Sequence, residues 1–154
     1  MARTRELLTE PKPEAPVDYP FHLGNRRNRH SMNSWLNELP GLHRSGKGNE
    51  ALLNTKDAAE LGVVEGDRVQ VFSSVGAVEL VATVSDRPRP GVVVIDHGWG
   101  SRIFDPRGGA APESYGANRN LLVRGGAVDP LSQTSPLSSS YVGVERVADS
   151  DLRA

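Results

Sequence analysis

Residues 68–95 carry three apolar segments of strand length, separated by turn sequences too closely spaced for helices to fit between them. In 68–73, Val69, Val71 and Ser73 fall on one side, with Gln70 and Phe72 on the other. Val75-Gly76 marks a turn, and Val78, Leu80, Ala82 and Val84 then share one face of 78–84. Arg87-Pro88-Arg89-Pro90-Gly91 is a second turn. The run 92–95 is continuously apolar and is expected to be buried on both sides. Short strands of this kind must close or stack to hide their apolar faces, so they favour a barrel over an open parallel sheet. The 16 glycines and 11 prolines point the same way, toward many turns and little long helix.

The flanks complete a mainly β domain with a short helix. Leu52 and Leu53 read as extended. Asn54 is placed to cap a helix, with Asp57 in capping-box position; Ala58, Ala59 and Leu61 favour the helix and Gly62 its left-handed end. A strand is expected at 21–24, a helical turn near 34–39, extended chain at 118–123 and a last strand at 141–147. Residues 1–20, with four prolines among many charges, read as a flexible lead. The barrel domain is expected at 21–147, and 148–154 as a frayed tail.

The 154 residues suit one domain with a real core. A net charge of -1 argues against a general polyanion binder, so no nucleic-acid partner is expected and any anion site must come from local clustering. With no cysteine, the chain has no disulfide, thiolate nucleophile or Cys-ligated iron–sulfur or zinc site. No apolar run approaches the ~18 residues of a membrane span, and the first residues lack a secretory apolar stretch. A cytoplasmic chain is the expectation.

Three segments carry candidate chemistry. The loop 24–33 places Arg26, Arg27 and Arg29 beside Gly24, Asn25, His30 and Ser31. Arginine forks match phosphate oxygens, Ser and Asn add hydrogen bonds, and glycine lets backbone approach a ligand. Taken alone, such a run is as readily a solvated surface loop. His97-Gly98-Trp99-Gly100 leaves a buried strand, where binding residues are common; the competing reading is a Trp packed on a tight turn. The four histidines show no zinc-ligand spacing, so no metal ligand is expected of this chain. Asn118 and Asn120, then Gln133, offer donor and acceptor together, as a heterocycle edge requires, although Asn and Asp-Pro also serve ordinary turns.

The order of the pieces is more specific than any one of them. The run 54–67 (NTKDAAELGVVEGD), then Val69-Gln70-Val71, Gly76, Pro90-Gly91-Val92-Val93, His97-Gly98-Trp99-Gly100, Asn118-Arg119-Asn120-Leu121-Leu122 and Asp129-Pro130-Leu131-Ser132 resembles the molybdopterin dinucleotide-binding domain. That domain closes the chain in the dimethyl-sulfoxide reductase, formate dehydrogenase and nitrate reductase superfamily. The resemblance covers roughly 21–147. It implies a double-psi β-barrel and binding of molybdopterin guanine dinucleotide, whose dithiolene, not the protein of this domain, holds molybdenum or tungsten. It maps cofactor contact onto Gly24, Asn25, Arg26, His97, Gly98, Trp99, Asn118, Asn120 and Gln133, and the residue types of the basic loop add Arg27, Arg29, His30 and Ser31. The chain departs from the family pattern at Asn25, inserted before Arg26, and at Gln133, where a glycine is usual; Pro136 falls one place late.

The resemblance further implies a larger catalytic subunit or parent chain as partner, since the metal ligand and iron–sulfur cysteines of such enzymes lie elsewhere. No catalytic residue is expected here, nor redox turnover by this chain alone. Two other readings belong to the same barrel type. One is a non-enzymatic protein-interaction module. The other is a self-processing decarboxylase that would cleave at Gly100-Ser101.

Overall fold

The computed structural model describes residues 14–27, 31–35, 37, 48–100, 116–125, 134 and 140–148. Six strands close into a barrel in the order β1-β5-β2-β4-β3-β6. They are β1 (Phe21–Gly24), β2 (Ala51–Leu53), β3 (Arg68–Phe72), β4 (Ala77–Val84), β5 (Val92–Ile95) and β6 (Tyr141–Arg146). One α-helix, α1 (Thr55–Leu61), and one 3-10 turn, Arg119–Leu122, complete the described elements. Two pairs are parallel, β1 with β5 and β2 with β4, and the antiparallel pair β2–β5 locks them together. Parallel neighbours need crossover connections rather than hairpins, and two interlocked crossovers give the double-psi β-barrel.

Period-two patterning builds the core. Val69 and Val71 of β3, and Val78, Leu80 and Ala82 of β4, all point inward and are buried. Leu23, Leu53, Ile95 and Val142 meet them from the remaining strands. β3 and β4 form a hairpin with Phe72 opposite Ala77, closed by the bond from Ser73 N to the Gly76 carbonyl at 2.8 Å. A side chain at Gly76 would run into the Leu121 carbonyl 2.6 Å away, so the hairpin tip lies directly on the 3-10 turn.

Three expectations need correction. Residues 92–95 are not buried on both sides: Val93 and Ile95 are fully buried, whereas Val92 and Val94 are only partly so. In a closed barrel one face of each strand is interior, and the outer face of β5 is covered in part by neighbouring chain. Of the residues 118–123, only the ends Asn118 and Val123 are extended, because the Asn118 side chain accepts from Asn120 N at 3.1 Å and turns 119–122 into a 3-10 helix that buries Leu122. Asn54 caps α1 through Lys56 N at 2.9 Å, but Asp57 does not complete a capping box. Its carboxylate instead accepts from Gly91 N at 2.8 Å, fastening α1 to the start of β5. Half of the helical turn expected near 34–39, residues 36, 38 and 39, falls outside the described residues. Where described, 32–35 is a tight turn with Met32 and Trp35 paired. Residues 1–13 and 149–154 also lie outside the description.

Candidate functional site

β1 and β5 run side by side in register, with Gly24 level with Val94. Parallel strands end together, so the chain leaving β1 starts next to the chain leaving β5. Gly24 lets them come close: a Cβ there would press on Val94 Cγ2 at 3.0 Å and Val92 Cγ1 at 3.2 Å. The use of this glycine is therefore strand packing.

Three consecutive residues after β5 each take hold of the loop after β1. The Asp96 carboxylate accepts from Arg26 Nε at 2.9 Å and Nη2 at 3.2 Å, the two-pronged pairing that only a guanidinium provides. Asp96 is buried, while the Arg26 side chain is 46% exposed. The hydrogen bond to Asp96 raises the Arg26 pKa above its ordinary value, against the opposing effect of burial, so the charge at this position is locked in. His97 lies between two asparagines, with Nδ1 3.0 Å from Asn25 Oδ1 and Nε2 3.1 Å from Asn33 Oδ1. An imidazolium donates to both oxygens; a neutral ring donates to one and accepts from the other amide turned end for end. The Gly98 carbonyl accepts from Asn37 Nδ2 at 2.7 Å, and Asn37 reaches back to the Asn33 carbonyl at 3.3 Å. Between these anchors Asn33 sits at φ 55° in a turn whose ends, Met32 and Trp35, exchange backbone bonds.

Asn49 supports the arrangement from the opposite direction. Its Nδ2 donates to the Asp96 carbonyl at 2.8 Å and the Ala117 carbonyl at 2.9 Å, and its Oδ1 accepts from Ala117 N at 2.7 Å. One buried amide thus joins the approach to β2, the exit of β5 and the approach to the 3-10 turn. Beyond it, a groove of about 820 Å³ opens between Asn49, Gly100, Asn118 and Leu121 and the outer face of β3 and β4.

Of the residues singled out from sequence, Gly24, Asn25, Arg26, His97 and Gly98 converge in this cluster. Arg27 is exposed beside Arg26 and makes no hydrogen bond to the described residues, and Ser31 is half-buried just before the Met32–Trp35 turn. Trp99 is turned inward, 8% exposed, and does not present an open aromatic face. Asn118 lines the groove with its Oδ1 engaged in capping, and Asn120 is exposed. Arg29, His30 and Gln133 lie outside the described residues, as do Ser101 and 129–132. Asp96, Asn37 and Asn49 were not among the candidates, and Asn33 entered only as the end of the loop 24–33. Asp96 had a visible signal: an acid placed directly after four apolar strand residues, where a buried charge demands a partner. The asparagines had none, because their partners are set by the fold.

The residues fit a ligand with an anionic bridge and polar ring edges. A fixed guanidinium and a second exposed arginine supply positive charge, and amides flank them. Asn37 Oδ1 is a buried acceptor with no donor among the described residues.

A closed barrel that gathers basic and amide-bearing loops at paired strand ends defines a class of domain with room and charge for an anionic ligand. The particular family follows from comparison: the chain belongs to the Molydopterin dinucleotide binding domain family, whose pattern matches residues 21–140. Trimethylamine-N-oxide reductase 1 of Escherichia coli K12 is 33% identical over 136 residues, covering 83% of this chain and 15% of that protein. The dimethyl sulfoxide/trimethylamine N-oxide reductase of Cereibacter sphaeroides is 29% identical over 136 residues, covering 87% of this chain and 16% of its own length. The chain thus spans about a sixth or less of these relatives. Among solved structures, acetylene hydratase from Pelobacter acetylenicus superposes with a TM-score of 0.69 at 19% identity, over 84% of this chain and 18% of that one, which establishes the shared fold. The cofactor of this domain is molybdopterin guanine dinucleotide. No helix among the described residues is long and apolar enough to cross a membrane.

Proposed function

We propose that this chain holds and orients molybdopterin guanine dinucleotide for a larger molybdopterin oxidoreductase, either as its C-terminal domain or as a separate subunit, and that it turns over no substrate alone. The observation that carries the reading is the clasp of Asp96, His97 and Gly98 on the loop 25–37, which sets positive charge and amides at one end of a family-typical barrel. Arg26 and Arg27, with Arg29, suit the cofactor's diphosphate. Ser31 and His30 add donors there. Asn118, Asn120 and Gln133 suit the edges of the pterin or guanine ring. His97 and Gly98 hold the loop in shape. When bound, the cofactor supplies two-electron chemistry at the molybdenum or tungsten on its dithiolene; the protein's share is binding, orientation and electrostatics. The partner in this reading is a large cysteine-containing subunit or parent chain, and the compartment is the cytoplasm.

Affinity capture of the tagged chain from its native cells, with mass spectrometry and fractionation, tests the proposal. A co-purifying molybdopterin subunit that lacks this barrel, or recovery of the chain as part of one long polypeptide, is expected. Recovery with unrelated proteins and no pterin would instead make it an interaction module. Cleavage at Gly100-Ser101 would turn the reading to a self-processing enzyme.

A further inference from the structure

We infer that Asp96 is a positioning residue for the cofactor: it grips Arg26 by one edge of the guanidinium and so presents the other edge to the diphosphate. This deepens the cofactor reading and rests on it. Arginine has five N–H donors in a rigid plane. Here Nε and one hydrogen of Nη2 are committed to Asp96, at 2.9 and 3.2 Å. The remaining three donors lie on Nη1 and the far side of Nη2, turned away from Asp96, and the side chain is 46% exposed.

Asp96 is fit for the task because it is itself held. It follows the fully buried Ile95, its side chain is 8% exposed, and its carbonyl accepts from buried Asn49 at 2.8 Å. A long arginine on a free loop would lose its rotamer freedom only when ligand arrives; one already clamped has lost it on folding. Two effects oppose each other. The carboxylate repels a phosphate, but it lies on the far side of the guanidinium, and neighbouring Arg27 adds a second positive charge. Pre-ordering therefore outweighs repulsion, and a lysine, with its single ammonium, cannot bridge both partners in this way.

The test uses the full chain, titrated with GDP and with inorganic pyrophosphate and followed by amide chemical shifts, in the wild type, D96N, R26Q and D96N/R26Q. D96N is expected to weaken both probes up to about tenfold, the upper end of what ordering one rotamer-rich side chain on binding costs. It should do so only where Arg26 is present, so the double variant binds no more weakly than R26Q. A purely structural Asp96 would lower the melting temperature in both backgrounds and leave the affinity of the folded protein alone. Unchanged or tighter binding by D96N overturns the assignment, as does an equal loss in the R26Q background. Should D96N fail to fold, R26K carries the test: it keeps the charge and loses the fork, and an unchanged Kd for R26K overturns the inference. Failure of the wild type to bind either probe would sink the cofactor reading and this inference with it. Wild-type binding with an indifferent D96N removes only the role of Asp96.

Discussion

At the scale of single residues, position decides what a glycine costs to replace. Gly62 and Gly98 both have left-handed backbone, φ 65° and 87°. A Cβ at Gly62, the end of α1, meets nothing within 4 Å, whereas one at Gly98 would overlap the Asn33 carbonyl and crowd Ser34 N. Gly62→Ala should therefore cost about 1 kcal/mol, the backbone strain alone. Gly98→Ala should cost about 3 kcal/mol or more, since loop 33–34 must also move. Urea unfolding checks both, and equal costs would show that the loop does not bear on Gly98. The same scale shows what sequence could reveal of the site. The arginine run and His97-Gly98-Trp99 were visible as chemistry. Their partners were not: Arg26 finds Asp96 across 70 positions, Asn37 finds Gly98 across 61 and Asn49 finds Ala117 across 68. The parallel pairing of β1 and β5 brings the first two pairs within reach, and the closure of the barrel around β2 the third. Which way the Trp99 ring turns was not legible either, because its inward direction depends on the closed barrel behind it.

At the scale of elements, strand patterning was legible because alternation is local and burial follows it, as in β3 and β4. The outer face of β5 and the 3-10 turn were not, since they depend on what covers them. Asp67 shows how a turn residue ties elements together. Its carboxylate accepts from Val64 N at 2.9 Å and pairs with Arg146 Nε at 3.0 Å, so it closes the turn before β3 and fastens that strand's start to the end of β6. The hydrogen bond from Val64 is the main cause that holds the Asp67 carboxyl below its ordinary value of 3.8, partly offset by desolvation and aided by Arg146. A carboxyl depressed in the folded state binds protons more readily when unfolded. Its contribution is thus complete above about pH 3.8 and disappears as pH falls through the lower folded value. Asp67→Asn should accordingly be less stable than wild type at neutral pH, with the gap narrowing in acid. Melting temperatures of both proteins from pH 7 down to pH 2 test this; a gap that stays constant would mean that the charge of Asp67 contributes nothing.

At the scale of the whole molecule, the barrel and the site are held by different forces. The interior is a closed apolar cluster in which β1 completes the ring between β5 and β6. Among the described residues, the loops beyond it are tied by hydrogen bonds and the Arg26–Asp96 ion pair, with Met32 and Trp35 left 60% and 71% exposed. Segments of that kind open locally before a core does. A ligand that binds only the closed arrangement slows any opening that breaks the site by the factor 1 + [L]/Kd, about 100-fold at 100 times Kd, which is about 2.7 kcal/mol. Amides whose local opening leaves the site intact do not feel it. Hydrogen exchange with saturating GDP or the released cofactor should therefore slow the described amides of 25–35 and 96–98 by the full factor. The slowest core amides of β3 and β4, which exchange through global unfolding, should slow by the same factor. The amides of the 64–67 turn, at the far side of α1, should keep their rates if they exchange by local opening. Slowing confined to 116–121 and the outer face of β4 would move the ligand to the 820 Å³ groove and away from the clasp. Slowing that includes the 64–67 turn would mean that its exchange too requires global opening. Slowing at 25–35 and 96–98 only would mean that the β3 and β4 amides exchange by local openings that leave the site intact rather than by global unfolding.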